Sequence, residues 1–305
     1  MQSAAFYTKG TLQRACMGIH VRIPYTSVIA STTTTVRSDL TKELLMHKKR
    51  LDSGICLIAV LMLALPALSL AQENSGTLAE SWVMTVKQGQ QADFEVAFKA
   101  HAALRAASGD PRAWDVYSPE TGDKLNVYVV RTCCFGWADQ DAYSSWTQST
   151  PAVMGDWFAN VDPFVESYAH YFSELDADNS NWPTDTGAIR YVGVTDYFPS
   201  PGQAAAFDTA RKELSQVALN HGWSAAGHHW GWADRIGGEP QVSLAIPFNS
   251  FADMAAAGES FAAFAARTMG EQNAMDLMQR FTSSVRRSTY TIYLHRADLS
   301  TPRGE

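Results

Sequence analysis

The sequence predicts an α+β protein of antiparallel sheets in which one plan of elements is used twice. Residues 228–248, HHWGWADRIGGEPQVSLAIPF, read as two short strands about a Gly237-Gly238 turn, and residues 114–130, WDVYSPETGDKLNVYVV, have the same design. In each copy a Trp starts the first strand, and a Gly followed by an acidic residue lies eight positions later (Trp114 to Gly122-Asp123, Trp230 to Gly238-Glu239). Each hairpin also has a segment of helical period before it and another after it.

The first 71 residues are set apart from this plan. Residues 46–50, MHKKR, form a basic n-region, 55–70, ICLIAVLMLALPALSL, an apolar core, and Ser69-Leu70-Ala71 places small residues where a signal peptidase reads. Sixteen apolar residues interrupted by Pro66 fall short of the roughly 20 that span a bilayer, so a cleaved signal is expected in place of a membrane anchor. Residues 1–45 carry the run Ser31–Thr35 and no sustained period. They are read as sequence upstream of a start at Met46, with a disordered leader as the alternative. The organisation expected is 1–45 leader, 46–71 signal, 72–187 first unit and 188–305 second unit.

Residues 1–71 hold 8 of the 24 Lys/Arg and 3 of the 31 Asp/Glu, so the mature part carries a formal charge of −12. That balance opposes nucleic acid and anionic lipid, whose phosphates need Lys and Arg, and no stable membrane insertion is expected after signal cleavage. Oligomeric state is not legible. The mature part has two cysteines, Cys133 and Cys134. Strand neighbours point to opposite faces, so two unpaired thiols are expected over a vicinal, redox-active disulfide.

Within the mature chain, SWVMTVK (81–87) alternates as a strand, and a helix is expected over 91–107 on the stripe Phe94, Ala97, Phe98, His101, Leu104. The first hairpin follows, its second strand running over 125–133. Residues 135–149 read as a polar, aromatic loop. Thr150-Pro151 opens a helix, with a break at Asp162-Pro163 and the stripe Phe164, Tyr168, Phe172, Leu175 continuing it. Residues 176–187 form a linker. The plan restarts with a strand at 188–198, a helix at 203–220, the second hairpin, one long helix at 258–284 and a last strand at 287–296. The order strand, helix, hairpin, helix, strand is the split βαβ, ferredoxin-like plan, although the first copy shows no fourth strand of its own.

Those duplicated hairpins and the order around them resemble the dimeric α+β barrel superfamily in its tandem form, two ferredoxin-like units in one chain, over most of 80–298. The resemblance implies antiparallel sheets packed as a barrel, helices on the outer faces and a wall of the opposite faces within. It spans cofactor-free monooxygenases, isomerases, dehydratases and haem enzymes, so it selects no activity. Alternation assigns Met84, Val86, Val127, Val129, Val192, Val194, Val242, Leu244, Ile246, Ile292 and Leu294 to the helices. It leaves Thr85, Asp115, Tyr117, Asn126, Tyr128, Tyr191, Thr195, Tyr197, Ser243, Thr291, Tyr293 and His295 for the inner face, joined by His229.

A face rich in Tyr, Thr and His suits a polar, aromatic cavity, and equally an ordinary wet sheet surface. His295 is the foremost catalytic candidate, because imidazole exchanges protons near neutrality, with Tyr293 two residues away to orient an oxygen. Tyr128, Tyr191, Asp115, Asn126 and His229 are the candidate ligand contacts. No metal motif is present, and no cofactor is read. His101 could in principle be an axial haem ligand, but a buried, hydrogen-bonded His fits its apolar stripe better. His170 reads as a surface or packing residue, and Trp223, Trp230 and Trp232 as core.

The function expected is an exported small-molecule binder or cofactor-free enzyme for a hydrophobic or aromatic oxygenated compound. A non-catalytic periplasmic ligand-binding or interaction protein is the alternative, and a haem protein ranks last. N-terminal sequencing of the exported protein is expected to begin at Gln72. A sequence beginning upstream of the apolar core would refute the cleaved signal.

Overall fold

A computed structural model of the chain describes residues 76–255 and 258–301, all within the unit 70–305. The leader and signal segments lie outside the described residues. The elements run β1 (Leu78–Val86), α1 (Gln91–Ala107), β2 (Asp115–Pro119), β3 (Val127–Phe135), α2 (Trp137–Ser149), α3 (Pro151–Asp156) and β4 (Val165–Leu175). They continue with β5 (Tyr191–Pro199), α4 (Ala204–Asn220), β6 (Gly231–Ile236), β7 (Val242–Phe248), α5 (Phe261–Met269), α6 (Glu271–Ser283) and β8 (Val285–His295). Every pairing is antiparallel, and the eight strands close into a barrel in the order β1-β3-β2-β8-β5-β7-β6-β4. This is an α+β barrel with helices outside, the architecture that the sequence resembles.

Two short seams join the halves. Tyr117–Pro119 of β2 pairs with Tyr293–His295 of β8, and Phe172–Leu175 of β4 pairs with Ala233–Ile236 of β6. The chain after β8 strengthens the first seam. Arg296 N–H donates to the Val116 carbonyl (2.7 Å), Val116 N–H donates to Ser300 Oγ (2.9 Å), and Thr301 N–H donates to the Trp114 carbonyl (2.9 Å). Leu299 thereby joins the core of the first half with Met84, Phe94, Phe98, Val116, Tyr128 and Val130. The second core gathers Phe207, Leu214, Trp230, Trp232, Val242, Leu277 and Phe281.

Five expectations from sequence are corrected. The stripe Phe164, Tyr168, Phe172, Leu175 was expected on a helix, but Val165–Leu175 is β4, paired with β1 and β6 in the barrel. Tyr168 and Phe172, four apart, share a face at period 2 and at period 3.6 alike, so that pair could not separate the two. The helix opened by Pro151 ends at Asp156, followed by one π turn and a short 3₁₀ turn at Asp162–Phe164. The expected loop at 135–149 holds α2, whose inner contacts are aromatic–cation and not aliphatic. The Arg112 guanidinium lies 4.0 Å from the centre of the Tyr143 ring, and that of Arg105 lies 5.0 Å from the Trp146 ring. The long helix over 258–284 is two helices, because Gly270 (φ +89°) turns the chain through the left-handed region. Cys133 and Cys134 are bonded to each other, against the expectation of free thiols.

The first half also buries charge. Glu80 and Arg112 are both almost fully buried, and Arg112 donates to Glu80 Oε2 (2.6 Å). Glu80 Oε1 meets His170 Nε2 (2.8 Å) and accepts from Trp82 Nε1 (3.1 Å), and the His170 ring stacks on Trp82 at 4.1 Å. Removing one member of a buried pair strands the other charge, at a cost of about 3–5 kcal/mol. Arg112→Met is therefore expected to lower the unfolding free energy by about 3 kcal/mol or more in urea titration. A loss below about 1 kcal/mol would show that His170 and Trp82 satisfy Glu80 unaided.

Candidate functional site

Two places collect chemistry: the inside of the barrel, and a cleft under the helices of the second half.

Inside the barrel, the β8 alternation places Thr291, Tyr293 and His295 as expected. His295 Nε2 lies 3.2 Å from Asp115 Oδ1 and 3.3 Å from Ser300 Oγ, with the Tyr117 ring 5.2 Å away. His295 and Asp115 each keep about a fifth to a quarter of the side chain open to solvent. Both contacts use the same ring nitrogen, so the group is a His–Asp pair with a neighbouring hydroxyl and not a relay through the imidazole. The β2–β8 seam brings it together across 180 residues. Deeper in, Ser243 donates to Asp196 Oδ1 (2.6 Å), Gln241 Nε2 donates to Ser243 Oγ (3.2 Å), and Arg235 donates to Gln241 Oε1 (2.7 Å). The Arg235 guanidinium stacks 3.8 Å from the centre of the Tyr171 ring. Burial, with Asp196 and Tyr171 nearby, pushes the Tyr293 phenol up to about 12, so at neutral pH it is a hydrogen-bond donor.

The other expected contacts go elsewhere. Tyr128 faces α1, where its hydroxyl donates to Glu95 (2.6 Å), a carboxylate that Arg296 also grips in two-pronged fashion (2.6 and 2.8 Å). Since Tyr128 and Val130 pack in the first core, Val127 and Val129 point inward, opposite to expectation. The same inversion holds in β5. Tyr197 packs against Phe207, Trp232 and Phe281, so Tyr191 and Thr195 share its outer face while Val192 and Val194 turn inward with Asp196. Tyr191 is buried against Phe251 at 4.4 Å. Asn126 ends the β1–β3 ladder by donating to the Val86 carbonyl (2.6 Å). His229 precedes β6 and meets Asn181 through Nδ1 (3.1 Å to the carbonyl). It lines the cleft and not the barrel.

The cleft has a volume of about 900 Å³ and lies between the outer face of the second sheet and helices α4, α5 and α6. Its walls include Tyr197, Leu214, Trp223, Trp230, Trp232, Leu244, Phe261 and Phe281. The indole N–H groups are tied back: Trp230 donates to the Asn179 carbonyl (2.8 Å) and Trp232 to Ser215 Oγ (2.9 Å). Burial raises the Tyr197 phenol above its ordinary 10.0, so it too stays protonated at neutral pH.

A comparison of the halves explains why the cleft is open. Helices α1 and α4 are equally long and stand 113 residues apart, so Ala218 occupies the place of Arg105 and Leu214 that of His101. In the first half Arg105 is buried, its guanidinium 4.2 Å from the Trp114 ring, and it donates to Asp110 (2.6 Å) and Tyr143 (2.5 Å). Tyr143 and Trp146 of α2 complete the filling. In the second half Ala218 leaves that space empty above Trp230, the counterpart of Trp114. Lining residues such as Ala218, Phe261, Met278 and Phe281 escape a motif search. The difference between Arg105 and Ala218 on duplicated helices is the signal that locates them.

Haem fits neither at His101 nor in the cleft. The His101 side chain is wholly buried, its Nδ1 2.8 Å from Asp156 and its ring 5.0 Å from that of Trp157 and 6.2 Å from that of Trp114. Nε2 has no partner, yet indole rings and not open space surround the imidazole. The cleft offers no Lys or Arg among its lining residues to hold propionates.

No family model matches the chain. No curated protein matches it in sequence. Among solved structures, the chain is similar to a Lactobacillus acidophilus protein provisionally named a monooxygenase (7% identity, TM-score 0.45, 74% of this chain and 96% of that one). It is similar to an anthrone oxidase-like protein (12%, 0.43, 74% and 94%). It is also similar to chlorite dismutase from Candidatus Nitrospira defluvii in complex with imidazole (9%, 0.42, 73% and 93%).

Burial dominates the shift at His101 and lowers its pKa below 6.5, outweighing the Asp156 bond. The unfolded chain then binds the proton first, so this contribution to stability is complete above about pH 6.5 and is lost as the pH falls below it. His101→Gln is expected to flatten that slope in thermal melts between pH 7 and 5. An unchanged slope would place the sensitivity elsewhere.

Proposed function

We propose that this is an exported small-molecule-binding protein whose site is the cleft of the second half, and whose ligand is a flat, hydrophobic, aromatic compound carrying oxygen. One observation carries the reading: an aromatic-walled cleft of about 900 Å³ persists in one half where the other half is filled by Arg105, Tyr143 and Trp146. Its volume lies within the few hundred to about 1,000 Å³ of small-molecule sites. Tyr197 supplies a protonated phenol toward an oxygen of the ligand, and the indoles offer flat faces. The basic, apolar, small-residue segment at 46–71 supports export. The strand order of each half, β4-β1-β3-β2 and β8-β5-β7-β6, is that of a split βαβ unit, so we read the chain as two ferredoxin-like units in tandem.

A second reading, acid–base catalysis without a cofactor, is favoured by His295 beside Asp115 and Ser300, with Tyr293 on the same inner face. Imidazole there would move a proton while the carboxylate holds it in place. Under this reading His295→Ala removes turnover and leaves cleft binding intact.

Titration of the mature protein with 2-naphthol is expected to quench tryptophan emission with one-site saturation. Ala218→Phe, which rebuilds the filling seen in the first half, should weaken that binding at least about tenfold, roughly 1.4 kcal/mol, while the melting temperature holds or rises. Equal affinity in a folded Ala218→Phe protein would rule the cleft out.

A further inference from the structure

The charge of the cleft is one-sided. Its lining residues include two carboxylates, Asp185 and Asp253, and two histidines, His228 and His229, with no Lys or Arg. Each carboxylate is held by backbone, not by a cation. Asp185 Oδ1 accepts from Gly187 N–H (2.9 Å), and Asp253 Oδ2 accepts from Asn249 and Ser250 N–H (both 3.0 Å). These bonds use one oxygen of each group, and both side chains are exposed at the edge of the cleft. Elsewhere the helix-side carboxylates are matched by cations: Glu80 by Arg112, Glu95 by Arg296, and Asp176, Asp208 and Asp234 by Arg211.

The aromatic walls point to the same charge. Trp223, Trp230, Trp232, Phe261 and Phe281 present ring faces and edges to one space. Ring faces carry a negative quadrupole, which attracts a cation and repels an anion. One of these rings already serves a guanidinium of the protein itself: Arg211 lies over Trp232 at 5.5 Å.

We propose that the cleft selects an amine-bearing aromatic cation, its ring system against the indoles and its ammonium at the Asp185 and Asp253 rim. This rests on the cleft being the binding site and adds the charge class of its occupant. A carboxylate-bearing compound of the same shape would have to bring its charge to two carboxylates and a set of ring faces with no guanidinium to meet it. That is a repulsive element against the wrong ligand as well as an attraction for the right one.

Three probes of one shape separate the ideas: 2-naphthol, 2-naphthoate and trimethyl(2-naphthyl)ammonium, each titrated into the mature protein by tryptophan quenching at physiological salt. The ammonium is expected to bind at least about tenfold tighter than naphthol, and naphthoate at least about tenfold more weakly. The mature chain is acidic overall, with a formal charge of −12, so a local control is needed. Asp185→Asn with Asp253→Asn should bring the ammonium close to naphthol and leave naphthol unchanged, the amide oxygens keeping the backbone bonds. Retained naphthol binding shows that the double variant is folded, and Asp185→Asn alone should show part of the effect.

Naphthoate binding as tightly as the ammonium would overturn the proposal while keeping the cleft as the site. So would an ammonium preference that survives both substitutions, since overall charge would then account for it. Failure of all three probes to bind would refute the cleft itself, and this proposal with it.

Discussion

The seam between β2 and β8 is the constraint on which the rest of this structure depends. Only Tyr117–Pro119 and Tyr293–His295 pair there, yet the residues beyond β8 continue the join along β2. Leu299 enters the core of the first half, and Arg296 reaches Glu95 on α1. With the β4–β6 seam, this closure assigns every strand an inner and an outer face. Chain distant in sequence becomes local chemistry: His295 and Asp115 are 180 residues apart and 3.2 Å apart in space. A barrel opened at this seam would lose its candidate proton-transfer pair and the cover of one core together.

Closure also explains which inferences were legible in the sequence. The hairpins were readable because a turn with glycine and an acidic residue recurs at the same distance from a tryptophan. Helix α1 was readable because Phe94, Phe98 and His101 lie on one stripe, and all three are buried. The face assignments succeeded in β8 and failed in β3 and β5, and the failures share a cause. The rule that aliphatic residues meet helices assumes a polar barrel interior and an apolar exterior. Here Val127, Val129, Val192 and Val194 line part of the interior, while Tyr128 and Tyr197 face helices that supply aromatic neighbours and, for Tyr128, the Glu95 carboxylate. A tyrosine is apolar in body and polar at its tip, so alternation cannot orient it without knowledge of what awaits the hydroxyl.

The first half shows how far cations can replace aliphatic packing. Arg105 and Arg112 are buried among Trp114, Phe135, Tyr143 and Trp146, and their charges are met by Asp110 and Glu80. Such an arrangement is invisible to hydrophobic periodicity, which is why α2 reads as loop. The second half has a related device in Arg211, set over Trp232 and bonded to Asp176, Asp208 and Asp234, where it joins α4 to β6 without lining the cleft.

From these differences the cleft acquires its meaning. Burying one more Phe-sized side chain contributes roughly 2 kcal/mol, a large share of the 5–15 kcal/mol that separates folded from unfolded chains. The duplicated frame contains the means to do so, since the first half fills the corresponding space from α1 and α2. The second half instead has Ala218 at the decisive position and surrounds the cleft with rings, among them Trp230 and Trp232, whose N–H groups bond the Asn179 carbonyl and Ser215 Oγ. Gly193 follows the same logic on the neighbouring surface, where a Cβ would lie 2.5 Å from the Tyr290 hydroxyl and 3.1 Å from Phe248, so its bare backbone lets those rings approach the sheet. A void that forgoes stabilisation available to its own twin, yet keeps ordered walls, is the kind of local departure from good packing that proteins retain where a ligand completes the core.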